Sequence, residues 1–241
     1  MSDNILYSFT SHTFTNAGAT GHEGPTLSQI KNTYSSASWA QNSNFLNMTT
    51  RGIQLWTVPA TGSYVIDAYG AGTATGGAGG RIKGEFELTK GNIISIICGQ
   101  CSTVSTWHNG GWVSEGGGGG TYVCNGSRQK SNILCVAGGG GGSRNNDSAN
   151  LRGDGTKYGG WSVSILSDNA TGGIANSSNG GGSGAGVDGD GNVANSYPGT
   201  VNAKGFINSS IGGYNWSVPI GFGGFGGGGN GGGTPGGGGG G

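Results

Sequence analysis

The sequence predicts an all-β protein in which an antiparallel β-sandwich packs against a bundle of glycine-rich segments. Three observations support this prediction. Apolar residues before position 138 fall into short runs with the spacing of β-strands, separated by turn residues. Glycine contributes 60 of the 241 residues and is concentrated in blocks beyond that position. Aromatic residues lie between these blocks, which favours a packed unit over a flexible linker.

The composition is unusual for a folded chain, because abundant glycine without a three-residue period is typical of low-complexity segments. Charged residues nevertheless make up only 9% of the chain, which also contains six Trp, eight Tyr and seven Phe. Disordered segments are generally rich in charge and poor in aromatic residues. We therefore predict one folded, intimately packed unit: a β-sandwich head at residues 1–137 with an early glycine insertion, and a bundle at 138–241.

Charge and hydropathy exclude two classes of partner. The net charge is zero and no cluster of Lys or Arg occurs, so the electrostatic attraction that supplies most nucleic-acid affinity is missing. No apolar run approaches the length of a membrane span, and the first residues do not have the pattern of a signal peptide. We expect neither nucleic-acid binding nor membrane insertion.

The strand patterns begin with residues 54–58 and 64–69, which flank a turn at 59–62 and predict a hairpin. Residues 81–88 alternate apolar and charged side chains, as a strand with one wet face does. The β-branched run at 93–98 predicts a strand that is buried on both faces.

A second hairpin is predicted from residues 122–124 and 133–136, which flank a polar loop.

The glycine blocks require a different backbone structure. They occupy residues 116–120, 138–142, 180–182, 223–229 and 231–241. In a helix or an ordinary strand each glycine would cost about 0.5–1 kcal/mol relative to alanine. Extended glycine segments with three residues per turn can instead pack closely enough for their amides to hydrogen-bond to neighbouring segments. We therefore predict a bundle of polyglycine-II helices.

Several motifs carry a resemblance to a known family. They are FTNAGATGHEGPTLSQ at 14–29, GIQLWTVPATGSYVIDAYGAG at 52–72, KGEFELTKG at 83–91, the block at 116–122, and GFGGF at 221–225. Together they resemble the ligand-binding glycine-rich domain of the anaplastic lymphoma kinase and leukocyte tyrosine kinase receptors. The resemblance implies a β-sandwich of the tumour necrosis factor type, similar to a jelly roll, packed on an array of polyglycine helices. It also implies binding of a protein ligand and no catalysis.

The sequence differs from the receptor pattern in ways that change the function we expect. The receptors have cysteines where this chain has Ala17 and Ile30, and loss of that pair argues against an oxidising secretory route. The chain is also similar to stand-alone phage versions of the module, which include tail-fibre-tip adhesins. We expect a virion structural protein of that kind, folded in the host cytoplasm and placed on the virion surface. The alternatives are a purely structural virion or surface-fibre subunit and an extracellular, microbial cell-surface ligand-binding protein.

The expected partners follow from this reading. They are a host-surface glycan or protein, other virion or fibre subunits, and further copies of the chain, with a trimer as the expected homo-oligomer. Aromatic side chains in loops between glycine blocks are the candidate receptor-binding residues, because rigid segments tolerate variable loops and aromatics dominate recognition surfaces. The alternative is that they pack between head and bundle. These residues are Trp107, His108, Trp112, Tyr158, Trp161, Tyr197, Tyr214 and Trp216.

No metal or cofactor is favoured. Asp188, Asp190 and Asn192 have the spacing of calcium ligands, but no glutamate closes the motif, so a solvated turn is preferred. The four cysteines could ligate zinc or, for Cys124 and Cys135, face each other across a hairpin, yet free thiols are favoured. The histidines are not arranged with a serine or cysteine nucleophile, and no Gly-Lys-Ser/Thr follows the glycine runs. We expect no enzymatic activity.

Overall fold

The computed structural model describes residues 5–75, 77–106, 113–142, 181–192, 199–217 and 220–232. Within these ranges, no helix is both long enough and apolar enough to cross a membrane. The helices are α1 (Leu27–Thr33), α2 (Ser38–Gln41) and a 3-10 helix (Lys130–Asn132). The strands are β1 (Leu46–Asn47), β2 (Ile53–Thr57), β3 (Gly62–Tyr69), β4 (Arg81–Leu88), β5 (Ile93–Ile97), β6 (Val104–Thr106), β7 (Val113–Glu115), β8 (Thr121–Asn125) and β9 (Ile133–Ala137).

The named strands pair only in the antiparallel sense. Five of them form one sheet in the order β1-β2-β5-β8-β9, while β3 pairs with β4 and β6 pairs with β7. This arrangement confirms the predicted all-β class.

The core of the sandwich lies between the five-stranded sheet and the β3–β4 pair. Trp56, Ile94 and Ile96 come from the five-stranded sheet, and Ala68 and Leu88 come from the opposing pair. Because side chains alternate along a strand, β5 places Ile94 and Ile96 on this face and Ile97 on the other. The prediction that residues 93–98 are buried on both faces is therefore confirmed for the run from Ile94 to Ile97.

The other face of the five-stranded sheet is covered by the glycine-rich part of the chain. Ile97 and Tyr122 pack there with Phe206 and Phe225, all of them buried. The rings of Tyr122 and Phe206 stack with centroids 4.8 Å apart. Arg128 donates a 2.7 Å hydrogen bond to the carbonyl oxygen of Phe206. The sheet is thus the middle of three layers.

Glycine segments in the third layer hydrogen-bond to one another through their backbones. The N–H groups of Gly117 and Gly120 both donate to the segment 226–229, at 2.8 and 3.0 Å, whereas the N–H of Gly118 donates to Gly140 at 2.7 Å. Partners therefore recur every three residues, which is the repeat of the extended helix type predicted for these blocks. The polyglycine-II bundle at 138–241 remains a prediction, because much of that range lies outside the described residues.

Side chains are excluded from this layer by the proximity of the segments. A Cβ atom on Gly119 would overlap the carbonyl oxygen of Phe225, and one on Gly118 would overlap that of Ala71. The absence of side chains is what allows each backbone amide to reach a neighbouring carbonyl group.

One predicted pairing is wrong. Residues 54–58 and 64–69 do form strands, but β2 pairs with β1 and β5, and β3 pairs with β4. The intervening turn carries the chain from one layer of the sandwich to the other, and Trp56 and Tyr64 meet across the core at 5.7 Å between ring centroids. The second predicted hairpin is confirmed as β8 and β9.

Helices α1 and α2 were not predicted, although the sequence carries a signal for α1. The side chain of Thr26 accepts from the N–H of Gln29, whose side chain accepts from the N–H of Thr26. This reciprocal pair is a capping box, which stabilises the start of a helix. Helix α1 buries Ile30 in an apolar cluster against which Ala17 packs, so the two positions at which the resemblance implies receptor cysteines lie in one cluster here.

Replacing Gly119 with alanine should destabilise the protein by about 3 kcal/mol or more, because a buried methyl group would have to displace a backbone carbonyl. Gly62→Ala is the matched control, since nothing lies within 4 Å of a Cβ atom at that position, and its effect should stay within about 0.5 kcal/mol. Denaturant unfolding of both variants measures the difference. Equal stabilities would contradict the close packing of the glycine segments.

The surroundings of His12 should make the stability of the protein depend on pH. The ring of His12 is surrounded by those of Phe14, Tyr34 and Trp39, with centroids 4.8, 4.4 and 5.0 Å away. Its Nε2 atom is buried and has no hydrogen-bond partner among the described residues. Burial therefore lowers the pKa of His12 below its usual value.

The unfolded chain must then bind this proton at a higher pH than the folded chain does. Stability should fall as the pH drops below about 6.5, the ordinary pKa of histidine. A His12→Phe variant should lose part of this dependence, as measured by the unfolding free energy between neutral and mildly acidic pH. Superimposable pH profiles for the variant and the wild type would contradict the assignment.

Candidate functional site

The structure brings two of the predicted receptor-binding residues together. Tyr214 and Trp216 lie within the described residues and their rings are 5.8 Å apart. The other six candidates lie outside the described residues: Trp107, His108, Trp112, Tyr158, Trp161 and Tyr197.

The backbone around Tyr214 and Trp216 is fixed by local hydrogen bonds. Tyr214 forms an isolated antiparallel bridge with Val201, with N–H to carbonyl distances of 2.8 and 3.0 Å. Asn215, which is fully buried, donates to the Thr200 hydroxyl at 2.7 Å and accepts from the N–H of Ser217 at 2.6 Å. The buried Asn215 amide therefore fixes the backbone of this segment, whereas the side chains of Tyr214 and Trp216 take no part in these hydrogen bonds.

Two residues distant in sequence complete an aromatic cluster, defined here as His22, Tyr214, Trp216 and Phe222. The His22 ring lies 4.2 Å from that of Tyr214 and 5.1 Å from that of Phe222. Trp216 meets His22 and Phe222 edge to face, at 5.3 and 4.9 Å. Such edge-to-face contacts between rings are favourable and fix their relative orientation.

Hydrogen bonds of the backbone hold His22 and Phe222 to other parts of the chain. The carbonyl oxygen of His22 accepts from the N–H of Gly212 at 3.0 Å. The N–H of Phe222 donates to the Thr103 hydroxyl at 2.7 Å, and the N–H of Thr103 donates back to the Phe222 carbonyl at 2.9 Å. The cluster is therefore attached to rigid backbone on both sides.

The aromatic cluster is electrically neutral near pH 7. Burial by the neighbouring rings lowers the pKa of His22, an effect opposed by Glu23 and assisted by Arg51. Glu23 and Arg51 form an exposed ion pair with a 2.5 Å separation, so the charges beside His22 balance. Such a surface can pack against the apolar face of a sugar or against apolar side chains of a protein.

The three residues with calcium-like spacing are engaged in other contacts. Asp190 accepts from the Lys204 ammonium at 2.8 Å, the N–H of Gly205 at 3.0 Å and the Asn208 amide at 2.7 Å. Partial burial alone would raise the pKa of Asp190, but these hydrogen bonds lower it below its usual range. The Lys204 ammonium thus occupies the position beside Asp190 that a calcium ion would need.

The other two residues of that motif have separate partners. The Asp188 carboxylate lies 3.9 Å from the Lys130 ammonium, and the backbone of Asn192 hydrogen-bonds to Ser183. In the part of the chain that the structure describes, no three His, Cys, Asp or Glu side chains are grouped so that they could hold a metal ion.

The four cysteines are free thiols: Cys98, Cys101, Cys124 and Cys135. Cys135 lies in the sandwich core opposite Val123, whereas Cys124 lies on the other face of the sheet with Phe206. The suggestion that Cys124 and Cys135 face each other is therefore wrong, since the β8–β9 register turns them to opposite faces. Burial raises the pKa of Cys98 to about 12 and that of Cys135 to about 11, which keeps both protonated at neutral pH.

Comparison with known proteins finds a similarity to a receptor tyrosine kinase. The leukocyte tyrosine kinase receptor of Mus musculus is 34% identical over 97 residues, covering 36% of this chain and 10% of the receptor. The matched fragment is part of the glycine-rich region and excludes the kinase. This similarity supports the predicted relation to that receptor family for the matched part. The chain spans about a tenth of the length of this relative, and no family model matches it.

His22 and Phe222 were not among the residues predicted for the site. Both lie in the motifs that carry the family resemblance, GHEGP and GFGGF. No local pattern connects position 22 with position 214, because only the folded glycine segments bring them together. The position of Phe222 directly before the glycine block at 223–229 was the available signal for this residue.

Asn215→Ala should lower the free energy of unfolding by about 1–3 kcal/mol, because it removes the two hydrogen bonds that the buried Asn215 amide makes to Thr200 and Ser217. Ser217→Ala retains the backbone N–H that donates to Asn215 and should change stability by less than about 0.5 kcal/mol. Chemical denaturation of the two variants tests the difference. If Asn215→Ala were as stable as the wild type, the amide would not be what holds the aromatic segment.

Proposed function

We propose that this protein is a non-catalytic recognition module that binds a surface ligand through the aromatic cluster. In its finer form, the proposal is a phage-type virion protein, a tail-fibre or tip adhesin that binds a glycan or protein on the host surface. It folds in the host cytoplasm and is displayed on the virion, where other fibre subunits are further partners.

The observation that carries the proposal is the exposure of Trp216. Its side chain is 72% exposed, more than any other large hydrophobic side chain among the described residues. An indole left in water forgoes the stabilisation that burial would provide. Tryptophan and tyrosine are also the residues that dominate binding energy when a partner covers them. The exposed ring is therefore well suited to a ligand.

Rigidity of the support adds to this argument. The residues of the aromatic cluster are held by backbone hydrogen bonds to Gly212, Thr103 and Val201 and by the buried Asn215. A surface that is already ordered loses little conformational entropy when it binds. The neutrality of the cluster favours an uncharged or weakly charged ligand surface, which suits the sugars of a cell-surface glycan or an apolar protein patch.

Two further observations bear on the phage-type form. The positions of the receptor cysteines are filled by Ala17 and Ile30, which pack in one apolar cluster and need no oxidising compartment. The histidines of the described region, His12 and His22, are surrounded by aromatic rings, a setting that suits packing better than acid–base chemistry. Both support a cytoplasmically folded, non-enzymatic module.

Binding of the purified protein to candidate bacterial host cells tests the proposal. Trp216→Ala should reduce saturable binding at least about tenfold, the loss expected when a central aromatic contact is removed. Tyr69→Ala is the matched control, because Tyr69 is also an exposed aromatic residue but lies on β3, away from the cluster.

Circular dichroism must show that both variants remain folded. Equal loss of binding in both variants would argue against the cluster as the site. Failure of the wild type to bind any plausible host, together with ordered self-assembly that depends on Trp216, would replace the proposal with a structural subunit whose aromatics form subunit contacts.

A further inference from the structure

Strand β4 has one edge that is hydrogen-bonded to β3 and a second edge that pairs with no strand of the described residues. Strand β9 lies close to β4, and Gly80, just before β4, donates a 2.8 Å hydrogen bond to the carbonyl oxygen of Gly138, just after β9. Unpaired strand edges expose backbone donors and acceptors that can pair with another chain. The charged side chains of β4 all lie on its exposed face: Arg81, Lys83, Glu85 and Glu87. Charges on an edge usually hinder pairing, so their order along the strand decides what can bind there.

The charges of β4 are arranged around Gly84 so that two antiparallel copies of the strand can place opposite charges face to face. When two copies of β4 run antiparallel with Gly84 facing Gly84, Lys83 of each copy faces Glu85 of the other. In the same register Arg81 faces Glu87. Two ion pairs between Lys83 and Glu85 flank the central glycines. The two outer pairs join Glu87 to an Arg81 guanidinium that also binds Asp67 on β3 of its own copy. Opposite charges on directly facing residues stabilise an antiparallel pair, and like charges destabilise it.

The neighbouring antiparallel registers keep only two attractive pairs and add a repulsive one. A shift by two residues in one direction places Lys83 opposite Lys83, and a shift in the other direction places Glu85 opposite Glu85. Parallel, in-register stacking places every charge opposite its equal. The pattern therefore selects a closed two-fold pair and opposes an open fibre of strands.

The apolar face of β4 fits the same register. Ile82, which is 42% exposed in the single chain, would lie opposite Phe86 of the second copy. Phe86 packs partly against the sandwich core, so the pairing would extend that core past Ile82. Gly84 leaves room for the Phe86 ring and, on the axis, for the close approach of a second backbone.

We propose that a second copy of this chain pairs with the free edge of β4, which joins the two β3–β4 pairs into one four-stranded antiparallel sheet. The contact is two-fold, in contrast to the trimer expected from the sequence. It does not depend on the proposed ligand-binding role of the aromatic cluster.

Sedimentation velocity of the purified full chain over a range of concentrations tests this contact. The wild type should be a dimer. Lys83→Glu and Glu85→Lys should each raise the dimer Kd by about tenfold or more, because each change converts two attractive pairs into two repulsive ones. The combined variant, with both changes, restores opposite charges in reversed order and should return the Kd to within about threefold of the wild-type value.

Lys31→Glu is the control, since it makes the same change of charge outside β4, on α1, where the Lys31 ammonium hydrogen-bonds to Gln41 and Ser43. It should leave the Kd unchanged, and circular dichroism should be the same for all variants. A wild type that stays monomeric at sub-millimolar concentration would overturn the proposal. So would single variants that still dimerise as the wild type does, a combined variant that fails to dimerise, or a trimer that none of the changes affects.

Discussion

Hydrogen bonding between glycine backbones at distances that exclude side chains is the constraint on which the rest of the structure depends. The five-stranded sheet presents apolar side chains on both faces, so it needs a layer on each. The β3–β4 pair covers one face with side chains. The other face is covered by segments that supply few side chains, and Phe206 and Phe225 provide the apolar contact between them and the sheet. Backbone pairing among the glycines keeps those two rings in place.

The same constraint explains why Trp216 of the aromatic cluster is exposed. A glycine layer cannot bury large side chains within itself, because there is no space between segments for a Cβ atom. Aromatic residues in or beside these segments must therefore either pack onto the sheet, as Phe225 does, or project outward, as Trp216 does. Outward projection from a rigid backbone produces an ordered aromatic surface, which a flexible glycine linker would not provide.

Strand positions could be predicted from the sequence, whereas their partners could be predicted only in part. The β-branched run of β5 and the alternation in β4 are local properties, and they appear in the structure as expected. The sequence of the turn between β2 and β3 is compatible with a hairpin or with a change of layer. In the structure the turn changes layer, because each of the two strands pairs with other strands. For the site, Tyr214 and Trp216 had a local signal, but His22 joins them only through the fold.

Layer order also links the two proposals. The β4 edge belongs to the layer on one face of the five-stranded sheet, and the backbone that supports the aromatic cluster belongs to the layer on the other. In the proposed dimer, pairing through β4 leaves the aromatic cluster of each copy uncovered, so that two equivalent copies of the proposed binding surface are present. When one surface is bound, the second acts at the effective concentration set by the connection between the copies. Two weak aromatic sites on a rigid dimer can then hold a repetitive cell surface that one site alone would release.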